Sequence, residues 1–114
     1  MIKENVAFTK EGKRLASYIL GQVRIKDPEI FSRYVSGFRR IFGQFGGRVL
    51  AVNDHPAALE GEWEADRLIL LEFADRAAAV RFWNSPEYQE IVHYRQAAAA
   101  SRVLMFDGVG APSL

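Results

Sequence analysis

The sequence predicts an α+β domain in the order β-α-β-β-α-β, a four-stranded antiparallel sheet with two helices on one face. Three observations carry that prediction. Two segments place apolar residues at spacings of three and four, the mark of amphipathic helices. Four shorter runs are rich in β-branched, aliphatic and aromatic residues and are bounded by turn or capping residues. The two classes alternate so that right-handed crossovers close a single sheet. With 114 residues, 49% hydrophobic and 25% charged, the chain suits one globular domain.

Residues 1–14 read as a polar N-terminal extension, in which Val6 and Phe8 offer packing points for an arm. The domain is expected over 15–110. The first strand is LASYILGQVR, Leu15–Arg24, with Tyr18, Ile19, Leu20 and Val23 as its strand formers. Asp27-Pro28 stops it and starts a helix, because Asp caps well and Pro suits the first helical position. That helix runs over Pro28–Gly43 on a stripe of Ile30, Phe31, Tyr34, Val35, Phe38, Ile41 and Phe42. Gly43 and Gly46-Gly47 supply the cap and turn. RVLAVN, Arg48–Asn53, is the second strand, and RLILLEF, Arg67–Phe73, the third. The link between them is long for a hairpin, so Ala58–Glu60 and Glu62–Glu64 are expected to extend the strands around a turn at Gly61. Asp75 caps the second helical region, and Ser85-Pro86-Glu87 restarts it after a kink. The restarted helix is expected to reach Ala100. Arg102–Val109 is the last strand, and 111–114 a tail.

Alternation puts Leu71 and Phe73 toward the helices, with Ile19 and Val23 beside them. The opposite face then carries Tyr18, Leu20, Gln22, Arg24, Leu68, Leu70 and Glu72. A face so apolar would be bare in a monomer and marks a partner surface. A second copy, packed face to face, is the expected partner.

Composition narrows the function classes. The formal net charge is +1, so no global field selects nucleic acid or membrane. There is no cysteine, which removes disulfides, thiolate nucleophiles and Cys-ligated metals and leaves the cytoplasm as the default compartment. Met1–Arg14 has no apolar leader pattern, and no apolar run approaches the roughly 20 residues of a membrane span. The two histidines share no metal-ligand spacing, and neither metal nor cofactor is expected.

The runs YILGQVRIKDPEIFSRY, FGGRVLAVN, LEGEWEADRLILLEF and FWNSPEYQEIVHYRQAAAASRVLMFDG, in that order and spacing, resemble the family catalogued as domain of unknown function 1330. The resemblance covers Tyr18–Gly108. It implies a ferredoxin-like, dimeric α/β-barrel fold. That superfamily also holds small cofactor-independent monooxygenases, haem-degrading enzymes, chlorite-dismutase-like proteins and muconolactone-isomerase-like enzymes. The family itself carries no agreed activity, so the resemblance implies a fold more than a function.

Candidate site residues follow from residues that break their surroundings. Glu72 interrupts the open face; in a partly apolar cavity its pKa would rise and it would serve as a general acid or base, whereas an arginine partner would make it structural. Arg95 interrupts the apolar stripe of Tyr88, Ile91 and Ala98 and needs a partner, either Glu72, a strand carbonyl or an acidic group on a ligand. The resemblance also puts Arg95 at the family's YQ…R spacing. Tyr18 and Gln22 are hydrogen-bonding candidates beside Glu72. His55, in the long link, is placed to overhang a cavity mouth. Trp83 and Tyr88, with Trp63, can flank a flat organic ligand, or simply fill the core. His93 reads as a solvated helix residue. GQFGG, at Gly43–Gly47, follows a helix rather than preceding one and is a turn, not a phosphate loop.

These residues support three readings. The first is an enzyme acting on a small organic molecule by proton transfer or cofactor-free oxygenation, near the dimer's sheet interface. The second is a small-ligand-binding protein without turnover. The third is a structural dimer module whose cavity is filled.

Overall fold

Helix α1 begins where the sequence places it, and the rest of the fold is organised around the face it buries. In the computed structural model, which describes residues 8, 12–64 and 66–109, β1 (Ser17–Ile25) is followed by α1 (Pro28–Gly43), β2 (Arg48–Asn53), β3 (Arg67–Phe73), α2 (Arg76–Asn84), α3 (Pro86–Ala98) and β4 (Ala99–Asp107). The Asp27 carboxylate accepts from the Ile30 N–H at 3.1 Å, and Pro28 and Glu29 fill the first turn. Asp75 and Ser85 cap α2 and α3 in the same way, from Ala78 and Tyr88.

The four strands lie in the order β2-β3-β1-β4 and all pair antiparallel, the ferredoxin-like order the sequence predicts. All three helices cover one face. There Phe31, Phe38, Ile41 and Phe42 of α1 meet Ile19, Leu71 and Phe73 of the sheet. Phe38, Phe42, Phe73 and Phe82 pack together, mostly edge to face, with centroids 5.0–5.9 Å apart. Gly46 turns the chain out of α1 with φ of +69°, a conformation that suits glycine.

Among the described residues, no helix lies on the opposite face of the sheet. Leu20, Leu68 and Leu70 there are half-buried among their neighbours, and Leu104 and Phe106 are exposed. Register fixes who shares that face: Tyr18 sits opposite Glu72 and Phe106, Leu20 opposite Leu70 and Leu104, and Gln22 opposite Leu68 and Arg102.

Three expectations are corrected. The last helix ends at Ala98, not Ala100, and β4 starts at Ala99 rather than Arg102. Ala99 and Ala100 pair with Ile25 and Arg24, so strand pairing overrides the helical preference of an alanine run. The first strand starts at Ser17 rather than Leu15. The link 54–64 forms no strand extensions. Pro56 lacks an N–H for a ladder, and Leu59 lies 96% exposed with nothing to pack on. Instead the Asn53 side chain accepts from the His55 N–H, Arg67 grips Asp54 at 2.6 and 3.2 Å, and Gly61 turns with φ of +77°.

Of the N-terminal extension, Phe8 bridges to Arg14, and Arg14 forms an ion pair with Asp75. Val6 and the tail 111–114 lie outside the described residues.

Candidate functional site

Between α1 and the helix-facing side of the sheet lies a cavity of about 470 Å³. Its floor is strand: Ile19, Gly21 and Val23 from β1, and Ile69 and Leu71 from β3. Its roof is Phe31, Val35 and Phe38 on the α1 stripe. Gly21 matters because an added Cβ would come within 3.0 Å of the Ile69 side chain. The missing side chain leaves room in the middle of the sheet.

The polar groups in this wall are few. Arg95, from α3, is only 7% exposed, and its guanidinium lies 5.5 Å from the centre of the Tyr34 ring. Among the described residues, no carboxylate pairs with it. The Tyr34 hydroxyl shares a hydrogen bond with the Tyr88 hydroxyl at 2.9 Å. Burial, then the neighbouring Tyr88, pushes the Tyr34 hydroxyl far above the ordinary phenol range, and Arg95 only partly opposes this. Tyr34 is therefore neutral at any ordinary pH and cannot serve as a base. Arg67 also lines the cavity, lying 5.7 Å over Phe31 while bound to Asp54. Arg39 joins the wall from the exposed side of α1, and Val49, Val52 and Val103 line it from β2 and β4.

A different cluster occupies the open face. Arg48 and Tyr18 both donate to Glu72, at 2.7 and 3.0 Å. The Arg48 bond, then the Tyr18 bond, holds the Glu72 carboxyl below its usual range. The Tyr18 hydroxyl is raised by the same bond. Of the two readings of Glu72, the arginine partner is the one present, and the raised pKa of a carboxylate among apolar neighbours does not arise: two donors outweigh desolvation. Glu72 is also not the partner of Arg95, because strand alternation puts the two on opposite sides of the sheet.

The sequence of a domain of unknown function, DUF1330, matches residues 16–109. The chain belongs to that family. Among solved structures, a protein of unknown function from Rhodopseudomonas palustris is 25% identical, covers 83% of each chain and has a TM-score of 0.72. A dimeric ferredoxin-like protein of unknown function from Thermobifida fusca shares 10% identity over 93% of this chain and 99% of its own, with a TM-score of 0.58. SnoaB, a cofactor-independent oxygenase from Streptomyces nogalater, shares 13% identity over 81% of this chain and 91% of its own, with a TM-score of 0.52. The last two are likenesses of fold. Among curated proteins, none matches the chain.

In this DUF1330 domain the predicted site residues fall in separate places. Arg95 lines the helix-side cavity, and Tyr88 touches it through Tyr34. Tyr18 and Glu72 meet on the open face, and Gln22 lines a more polar, open depression there with Trp63 and Arg102. Trp83 borders a small hollow of about 100 Å³ with Ile19 and Met105, and its ring lies 5.2 Å from Tyr88. His55 is exposed in the link. Tyr34 and Arg39 were missed as site residues. Their signal was present, since a tyrosine within an apolar stripe carries a hydroxyl that must find a partner. Among the described residues no group of three His, Asp or Glu is placed to hold a metal ion. No described helix is long and apolar enough to cross a membrane.

Proposed function

We propose that this protein works as a homodimer that takes up a small, largely apolar organic molecule in the cavity between α1 and the sheet. We further propose that it acts on that molecule by proton transfer or cofactor-free oxygenation. The cavity carries the reading. At about 470 Å³ it falls within the roughly 300–1,000 Å³ of small-molecule sites, and its apolar wall with a few polar groups is of the usual kind. The homodimer is supported by the uncovered apolar sheet face and by the dimeric relative from Thermobifida fusca, which shares the fold.

Turnover has chemical support of one kind. A guanidinium set in an apolar wall stabilises negative charge that develops on a bound substrate far better than it would in water. A phenolate or enolate made stable in this way can react directly with oxygen or pass on a proton. The shared fold with SnoaB agrees with this chemistry and adds no residue to it.

A second reading, binding without turnover, is favoured by one observation: among the described residues no aspartate, glutamate or histidine lines the cavity. Glu72, with Tyr18 and Gln22, would then act only on a molecule held at the open face. His55, Trp83 and Tyr88 are proposed as ligand contacts of lesser weight.

The deciding experiment titrates a panel of electron-rich phenols and β-dicarbonyl compounds into the protein. Amide shifts in two-dimensional NMR report binding, and an oxygen electrode and product analysis report turnover. Shifts clustered at Val35, Ile69 and Leu71 with oxygen uptake support the enzyme reading. The same shifts without product favour the binding reading. If the panel leaves those amides unmoved, the cavity is not the site. Glu72→Gln with unchanged turnover and assembly would remove Glu72 from the chemistry.

A further inference from the structure

Charge separates this cavity from an ordinary apolar pocket. Among the described residues, the ionisable side chains in its wall other than Tyr34 are Arg39, Arg67 and Arg95, all cationic. Arg67 is neutralised by two bonds to Asp54. Arg95 is buried, and among the described residues no carboxylate answers it; Tyr34 partners it, through its ring face and its neutral hydroxyl. Taking a guanidinium out of water costs several kcal/mol unless an opposite charge or good hydrogen bonds replace the water. An aromatic face and one neutral hydroxyl return only part of that, and neither supplies an opposite charge. Arg95 thus lacks a counter-ion where a cavity offers room for one.

We infer that the ligand of this cavity is a small organic anion, with its carboxylate, phenolate or enolate against Arg95 and its apolar body between Phe31, Phe38 and Ile69. The inference rests on the cavity being the binding site and adds the chemical class of its occupant. Arginine suits this task because its planar fork can hold two oxygens at once. Arg39 sits on the exposed side of α1 and adds positive charge where a ligand would enter. Neutral Tyr34, tied to Tyr88, keeps the guanidinium in place without competing for the anion.

The test compares naphthoate with naphthamide, which has nearly the same shape and no charge, by NMR titration of the full chain. The carboxylate is expected to bind at least about tenfold more tightly than the amide, as charge-assisted hydrogen bonds allow. The Arg95 side-chain N–H signal is expected to move with it. Arg95→Gln should erase the preference, leaving naphthamide affinity within about twofold, and Arg95→Lys should retain part of it. Equal binding of the two probes overturns the anion inference and leaves the cavity reading standing. A carboxylate preference that survives Arg95→Gln overturns the assignment to Arg95. Failure of both probes to move the cavity amides removes the cavity reading and this inference together. Should Arg95→Gln not fold, the wild-type comparison and the Arg95 signal decide alone.

Discussion

Asp75 carries more than its cap. Its carboxylate accepts from the Ala78 N–H at 2.9 Å and also pairs with Arg14, so α2 and the N-terminal segment share one group. The Ala78 bond, then Arg14, holds its pKa below the ordinary value despite burial. A depressed folded pKa stabilises the protein above the unfolded value near 4, and that contribution is lost as pH falls through the folded value. Asp54 and Glu72 are shifted downward as well, by Arg67 and Arg48 respectively, so all three act in the same direction. Asp75→Ala is expected to cost about 1–2 kcal/mol near neutral pH, mostly through the lost cap, since Arg14 is largely exposed. Thermal melts from pH 7 down to about 3 should show the variant converging on wild type at the acid end. At this scale the sequence revealed which face Glu72 occupies and left its environment open between an apolar cavity and an arginine partner. The face follows from alternation alone. Its ionisation depends on Arg48, which reaches it only through the β2–β3 register.

At the level of elements, helix starts were the most legible features, because capping residues act within one turn. Asp27, Asp75 and Ser85 each do in space what their local sequence announces. Element ends that depend on distant partners were less legible: Ala99 and Ala100 are strand only because Ile25 and Arg24 lie beside them. The α1–β2 turn gives a sharp test. A Cβ on Gly47 would collide with the Phe42 ring and come within 3.0 Å of Phe73. Gly47→Ala should therefore cost about 1–3 kcal/mol, the usual range for overpacking, measured by urea denaturation. The cavity, by contrast, was not legible. It arises where α1 crosses the sheet, and neither strand pattern nor helix stripe encodes the gap left between them.

For the whole molecule, the sheet face without helices is the dominant feature. The homodimer proposal predicts that a charge set midway along the edge strand β4, on this face, disrupts assembly. Leu104 is 55% exposed in the single chain and lies opposite Leu20. Leu104→Asp should leave the far-ultraviolet spectrum intact and shift sedimentation from dimer to monomer, since burying a leucine is worth roughly 1.5–3 kcal/mol and burying an unpaired carboxylate costs more. A wild-type chain that sediments as a monomer at micromolar concentration would defeat the proposal. The sequence exposed this face through apolar residues on both sides of its strands. It could not reveal that the cavity lies on the other side, because both sides read as apolar.

Gly21 has a consequence beyond its place in the cavity floor. It lies midway along β1, which has neighbours on both edges, where a glycine weakens a strand by about 0.5–1 kcal/mol relative to alanine. The protein thus carries a soft spot at the centre of its sheet, and the same position sets the size of its pocket. Gly21→Val should exclude the bulkier members of a ligand series while smaller ones still bind, which parallel titrations would measure. One residue is in that sense a gauge. Drift at position 21 would retune which molecules enter only as far as Ile69 can give way, an evolutionary trade between selectivity and strand packing.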